Sequence, residues 1–239
     1  MIDILFLGKH EVGEKVYQWL CERNDANVLA MLTQKDQLSL VKKIEPELVV
    51  SGGFQYIVPD SVLEVPELGV INMHGSYLPY NRGSNSNVWP FIDGTPAGVS
   101  LHYMTPELDG GPIIDRRKVE IKPYDTSKSL LSRIEEEAVR QFKQLWPDIR
   151  DESVETTQQN QDIGTSHNRS EFEELCELNL DKSATYREFI NHLRALTYPP
   201  YNNAYFETNG KRYFVELSIT PAGDVADIPG KYVKRHKDT

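Results

Sequence analysis

Cysteine is scarce in this chain. Its two thiols, Cys21 and Cys176, lie far apart in 239 residues; they fit no metal-ligand spacing and predict a reduced, cytoplasmic setting. Long apolar runs are missing too. The amino-terminal "MIDILFLGKHEVG" has no basic lead-in, and its apolar stretch Ile4–Leu7 is too short for a signal peptide or a membrane span. Positive charge is in deficit, with 26 Lys and Arg against 36 Asp and Glu and a formal net charge of −10. A nucleic-acid surface wants a basic stripe, so that partner is not expected, whereas a local basic pocket for a small anion is compatible with an acidic whole. The chain has no internal repeat and no low-complexity tract, and its 39% hydrophobic and 26% charged residues suit an ordinary globular protein.

What is present is an alternation of short apolar runs and helical patterns. Residues 2–7 read as a buried strand ended by Gly8. The loop bracketed by Gly8 and Gly13 leads into a helix whose apolar stripe is Val16, Trp19 and Leu20. Further strands are expected at 28–32, 48–51 and 69–73, with a short helix at 37–45. Strands apolar throughout and separated by helices argue an α/β protein with a Rossmann-like, mostly parallel sheet flanked by helices. Ligands in such sheets bind beyond the carboxyl ends of the strands, which brings Gly8–Gly13, Gly52–Ile57 and Asn72–Gly83 to one rim.

A helix is expected at 85–92, followed by "GVSLHYM" as a two-faced strand that alternates Val99, Leu101 and Tyr103 with Ser100, His102 and Met104. The "PELDGG" turn leads into a strand in "PIIDRRKVEI" and then a helix at 127–146 capped by Thr126. Residues 150–170 are polar and read as loop. A helix at 186–196 and a β-hairpin about Asn209-Gly210 follow, and the last dozen residues read as frayed. The expected division is a catalytic domain at 1–150 and a small C-terminal extension of loop, helix and β-hairpin at 151–239.

Three polar side chains stand out. Asn72 and His74 are two residues apart in an extended segment, so they leave from the same face. Asp109 sits in a turn with Gly110 and Gly111, where backbone approaches a ligand closely. An amide donor, an imidazole and a carboxylate suit the stabilisation of an oxyanion coupled to proton movement between nitrogens. A purely structural histidine at a strand end is left open by these residues alone.

In order along the chain stand Asn72-Met73-His74, Ser76-Tyr77-Leu78-Pro79, Arg82-Gly83, Gly98-Val99-Ser100-Leu101-His102 and Asp109-Gly110-Gly111. This succession resembles the folate-dependent formyltransferase family over about residues 48–122, and less closely over the first strand and loop. The resemblance implies Asn72, His74 and Asp109 as a catalytic trio and N10-formyltetrahydrofolate as formyl donor, with no metal. It implies attack of an amine on the formyl carbon through a tetrahedral oxyanion held by Asn72 and protonated His74. Asp109 would then orient His74 and take the proton shed by the amine, directly or through a water. The folate pocket it implies is Phe54, Gln55, Tyr56 and Ile57 with Tyr103, Met104 and Leu108. Core packing explains Phe54 and Ile57 equally well, and His102 either lines the cleft or is a buried, hydrogen-bonded residue.

Within that family, the run from Ser76 to Met104 and the tail from His192 to Leu217 are most similar to N-formyltransferases acting on dTDP- or UDP-linked amino sugars, enzymes of glycan assembly such as O-antigen synthesis. That similarity implies a nucleotide-linked amino sugar as acceptor and a homodimer. Lys9, Arg82 or Arg194 would meet the diphosphate, Tyr198, Tyr201, Tyr205 and Asn202 the base, and His10 and Glu11 the sugar. Packing and ordinary surface charge account for the same residues without a ligand. Formylation of glycinamide ribonucleotide stays open because Asp109 is followed by two glycines. Hydrolysis of the formyl donor also stays open, although that relative carries an extra N-terminal domain and here the first strand starts at residue 2. Methionyl-tRNA formylation is not expected of a chain this short and acidic. A non-catalytic sensor of folate or nucleotide would lose the trio, and a dinucleotide oxidoreductase would want G-x-G-x-x-G, whose middle glycine "GKHEVG" lacks.

Overall fold

The computed structural model describes residues 1–221; the expected frayed last dozen residues lie outside them. The chain begins with β1 (Ile2–Leu7), α1 (Glu11–Cys21) and β2 (Ala26–Leu32), then a 3-10 turn (Lys35–Leu40) running into α2 (Val41–Ile44). It continues with β3 (Leu48–Gly52), α3 (Asp60–Leu63), β4 (Val70–His74), β5 (Arg82–Gly83), α4 (Trp89–Asp93), β6 (Gly98–Tyr103), β7 (Ile113–Lys118) and α5 (Ser127–Arg150). The C-terminal part holds β8 (Ser166–His167), α6 (Arg169–Leu175), α7 (Tyr186–Leu196), β9 (Thr197–Tyr198), β10 (Tyr201–Asn202), β11 (Tyr205–Thr208) and β12 (Lys211–Phe214).

Six strands make the central sheet in the order β2-β1-β3-β4-β6-β7. The first four are parallel, whereas β6 runs antiparallel to β4 and β7 antiparallel to β6. This is the mostly parallel α/β sheet expected, with the direction of its last two strands added. The period-2 alternation of each strand sends residues to two cores. Ile4, Phe6, Val50, Ile71, Met73 and Leu101 pack with Phe142 and Trp146 of α5 on one face. On the other face, Leu5, Leu7, Val49 and Val70 pack with Leu38, Val41 and Val62. Asn72 and His74 share the face of Val70, at the end of that second core. Every residue of β6 from Gly98 to His102 is buried, and its two faces differ as read: Leu101 enters the first core, whereas Ser100 and His102 face the polar side with Asn72 and His74.

Helix α5 carries the Thr126 cap, reciprocated by Ser129, and buries Leu130, Ile134, Ala138, Phe142 and Trp146. It runs one turn past the expected end, through Pro147 to Arg150, because Ile149 continues the buried stripe. Helix α4 starts later than expected, since Asn85 takes a left-handed backbone (φ 56°) that interrupts any helix before it. The Asn209-Gly210 hairpin forms as read, both residues having positive φ. The polar stretch 150–170 departs most from expectation. It contains β8, paired in parallel with β5, and it is followed by α6, which composition did not signal.

The first loop and the end of β3 touch through glycines. A Cβ on Gly8 or Gly13 would stand 2.0 or 2.3 Å from the Gly52 carbonyl oxygen. In an exposed helix, Gly-to-Ala gains up to about 1 kcal/mol. Here the sign reverses: Gly13→Ala is expected to destabilise by roughly 1–3 kcal/mol through overpacking. A Gly13→Ala protein with an unchanged or higher melting temperature would contradict this close approach.

Candidate active site

The site is assembled by the β4–β6 pairing. Asn72 stands opposite His102 and His74 opposite Ser100, so all four polar side chains leave on the same face. His102, only 1% exposed, faces the Tyr103 carbonyl with Nδ1 at 2.9 Å and Asn72 Nδ2 with Nε2 at 3.2 Å. A carbonyl only accepts, so Nδ1 carries the proton and Nε2 offers its lone pair to the Asn72 amide. This fixes the end of the amide that faces the site: one N–H of Asn72 is held by His102 and the second is left to donate. Burial, with the nearby His74 adding to it, pushes the His102 pKa down to about 4.

Asp109 folds over this face from the turn after β6. Its Oδ2 accepts the Gly83 N–H at 2.9 Å and lies 3.6 Å from His74 Nδ1, while Oδ1 lies 3.8 Å from His102 Nε2. His74 Nε2 stands 3.4 Å from the Asn81 carbonyl, a long contact. The two ring nitrogens of His74 thus both face oxygen acceptors. The expected trio is therefore brought together, with His102 as the buried, hydrogen-bonded member whose place at the cleft had been left open.

Comparison with known proteins fits this geometry. Residues 6–145 match the family described as formyl transferase, and residues 171–221 match the N-formyltransferase dimerization C-terminal domain. The chain belongs to the formyl transferase family. A dTDP-4-amino-4,6-dideoxyglucose formyltransferase of Mycobacterium bovis is 34% identical over 63% of this chain and 64% of its own length. A methionyl-tRNA formyltransferase of Bacillus thuringiensis is 31% identical over 80% of this chain and 60% of its own. The chain thus spans less than two thirds of the curated relatives it matches. The crystal structure of a 4-N formyltransferase from Francisella tularensis superposes with a TM-score of 0.84 at 26% identity, over 92% of this chain and 99% of that one. The formyltransferase PseJ from Anoxybacillus kamchatkensis, crystallised with UDP-4,6-dideoxy-4-formamido-L-AltNAc and tetrahydrofolate, gives 0.63 at 29% identity over 72% and 88%.

The remaining expected residues divide. Phe54 and Met104 are half-buried against the second core, and Phe54 meets Tyr56 edge-on at 5.4 Å. Gln55 donates to the Tyr56 hydroxyl, which in turn donates to Gln34. Ile57 and Leu108 are exposed apolar side chains, 78% and 57%, so neither serves as core packing. Tyr103 needs correction. Strand alternation turns its ring away from His102 to the opposite face, beside Leu68, Ile149 and Val154; only its carbonyl serves the site.

Among the residues expected at the acceptor, His10 lies against Gly53 and Arg82 adjoins the Asp109 contact at Gly83. Arg82 reaches Glu107 at 3.1 Å, and its Nε is buried without a partner among the described residues. Lys9 is exposed on the first loop. Tyr198 and Tyr201 face each other across β9–β10 at 5.9 Å, followed by exposed Asn202. Burial raises the Tyr198 pKa, helped by Glu135 of α5 and by Glu11 at the start of α1, so this pair stands near the first loop. Arg194 is a second correction. Its guanidinium bonds the carbonyls of Asp125 and Lys122 and the Asn191 side chain, and it stacks on Phe91 at 4.7 Å. It ties α7 to the start of α5 instead of awaiting a phosphate.

Sequence reasoning missed Asn81, Gln159, Gln161 and Thr165. Asn81 is fully buried with φ 57°, held by Thr95 and Thr165, and its carbonyl faces His74. The only signal for the others was an unusually glutamine-rich polar stretch.

His102 yields a pH prediction. Its folded pKa of about 4 lies below the unfolded value of 6.5, so between these limits the unfolded chain binds the additional proton. Stability from this group is complete above pH 6.5 and is lost as the pH falls toward 4. Denaturant unfolding across that window should show the decline, and His102→Gln should remove that part of the slope. An unchanged slope in the variant would contradict a neutral His102.

Proposed function

We propose that this protein transfers a formyl group from N10-formyltetrahydrofolate to the amine of a nucleotide-linked, dTDP- or UDP-type, amino sugar. The observation that carries the reading is the convergence of Asn72, His74 and Asp109 on one face of β4–β6, in a chain that matches both the formyl transferase domain and the N-formyltransferase C-terminal domain. The residues fit the donor. Half-buried Phe54 and Met104 and exposed Ile57 and Leu108 offer apolar walls for a flat ring, and the site carries one aimed amide N–H, an imidazole and a carboxylate. The donor, when bound, supplies an activated formyl carbon. Asn72 and a protonated His74 donate to the negative charge that develops on the formyl oxygen. Asp109 holds His74 and accepts, directly or through a water, the proton that the attacking amine sheds.

On the acceptor side, the Nε of Arg82, without a partner among the described residues, supports contact with a diphosphate, and we assign Lys9 and His10 of the first loop and Tyr198, Tyr201 and Asn202 of β9–β10 to the same ligand. The net charge of −10 weighs against a tRNA acceptor despite the similarity to methionyl-tRNA formyltransferases. The two family matches support a catalytic unit to about residue 150 and a C-terminal unit after it. The absence of any helix long and apolar enough to cross a membrane among the described residues agrees with a cytoplasmic setting. Tyr186, Phe189 and Ile190 of α7 and Tyr213 and Phe214 of β12 are exposed in the C-terminal unit, and we take a second copy of this chain to cover them.

Incubation with N10-formyltetrahydrofolate and a panel of dTDP- and UDP-amino sugars, glycinamide ribonucleotide and initiator tRNA, read by mass spectrometry, should add one CO unit to a nucleotide sugar. Formylation of the ribonucleotide or the tRNA alone would overturn the choice of acceptor. Asn72→Ala should lower kcat by about a hundred- to a thousand-fold and His74→Asn should abolish turnover in a folded protein; near-normal rates in either would remove that residue from the mechanism. Sedimentation should give a dimer that Phe189→Glu disrupts, and a monomeric native protein would refute the shared interface.

A further inference from the structure

The polar segment 157–167 crosses the catalytic turn. Thr157 and Ile113 exchange two backbone hydrogen bonds of 2.8 Å at its start. At its end, the Arg82 N–H donates to Thr165 O and the Ser84 N–H to His167 O, each at 2.9 Å. The His167 ring stacks on Trp89 at 3.8 Å and bonds Asp93 at 2.9 Å. Between these anchors, Gln159 Nε2 donates to the carbonyls of Asp109 at 2.7 Å and Gly111 at 2.8 Å, while Gln161 Nε2 lies 3.5 Å from that of Gly110. All three carbonyls of the Asp109-Gly110-Gly111 turn therefore face glutamine amides that come from about 50 residues further along the chain.

This turn needs holding. Asp109 has φ 48°, a left-handed conformation that costs a side-chain-bearing residue about 1 kcal/mol or more and persists only where its surroundings enforce it. Gly83 restrains the carboxylate, but among the described residues no backbone N–H bonds the Asp109 carbonyl. Both hydrogens of the Gln159 amide are spent on the turn, which fixes the orientation of that amide. Its Oε1 is buried with no partner among the described residues, an unfavourable arrangement that the segment's anchors sustain.

We propose that Gln159 is a positioning residue for Asp109: by bonding the two carbonyls that bracket the turn, it sets the carboxylate at its distance from His74. The inference rests on the reading of Asn72, His74 and Asp109 as the reacting groups. It assigns to the segment between the two family-matched regions a part in holding the reacting groups in place.

Two variants test it. Gln159→Ala removes the donors, and Gln159→Glu keeps the shape but, ionised, presents only acceptors to two carbonyls. Each should lower kcat about tenfold or more while KM for donor and acceptor changes less than about threefold, because the reacting geometry is disturbed and the binding surfaces are not. In Gln159→Glu the rate relative to the native enzyme should recover as the pH falls from about 8 to about 6, since a protonated carboxyl regains one donor. Crystal structures of the variants should show Asp109 leaving its left-handed conformation or its bond to Gly83. A kcat within about twofold of native in both variants overturns the proposal. So does an Asp109 turn unmoved in both structures, whatever the activity. Asp109→Asn, measured alongside, judges the underlying reading separately: full turnover there removes Asp109 from the mechanism, while the turn geometry in the Gln159 variants still decides what Gln159 holds.

Discussion

The antiparallel register of β4 on β6 is the constraint from which the site follows. It sets Asn72 against His102 and His74 against Ser100, while Ile71, Met73 and Leu101 face the core under α5. A slip of one residue would exchange these sets, burying the polar groups against Phe142 and Trp146 and turning the apolar ones to the cleft. The same register positions more than the trio. Ser100 Oγ donates to the Ser76 carbonyl at 2.8 Å and receives the Leu78 N–H at 3.0 Å, so the residue opposite His74 also moors the loop that follows it. Arg116, on the neighbouring strand β7, bonds the Leu78 carbonyl as well.

Beyond the helical core of Leu38, Val41 and Val62, the polar end of this face is closed by hydrogen bonds. Asn81 is tied to Thr95 and Thr165, β5 pairs with β8, and glutamines bond the Asp109 turn. Each bond is worth only about 1 kcal/mol net, but an unmade one in a buried place costs more than that, so such a network holds its members in one arrangement. An apolar cover would have excluded the charge and the proton traffic that the proposed chemistry needs. The polar composition of residues 157–167 is therefore a requirement of what they cover.

This also explains what the sequence disclosed. Strands β1, β3 and β4 were legible as short apolar runs, helix α5 because its buried face repeats at the helical period, and the hairpin because Asn209-Gly210 suits positive φ. Asn72, His74 and Asp109 were legible because their motifs are short and ordered along the chain. Segment 150–170 was not, since a network of side-chain hydrogen bonds has no period. Tyr103 was misplaced as a cofactor wall although its alternation with His102 was readable; the alternation sends the two rings to opposite faces. Arg194 was misread for a different reason. A guanidinium suits a phosphate and suits three carbonyl or amide oxygens at a helix end alike, and only tertiary placement separates the two.

The neutrality of His102 gives the proposed transfer a direction. His102, with a pKa of about 4, is neutral at any pH where an amine can attack, and its lone pair is committed to Asn72. It can neither take the amine's proton nor add a positive charge that would compete with His74 for Asp109. Its neutrality also keeps the Asn72 amide turned with its nitrogen toward the site; a protonated His102 would donate from Nε2 and favour the flipped amide, presenting an oxygen where negative charge develops. In the proposed transfer the proton is assigned to Asp109, whose carboxylate oxygens lie 3.6 Å from His74 Nδ1 and 3.8 Å from His102 Nε2 and whose position depends on the turn beneath it. On the proposed reading, the burial of His102 is in this way what aims the Asn72 amide.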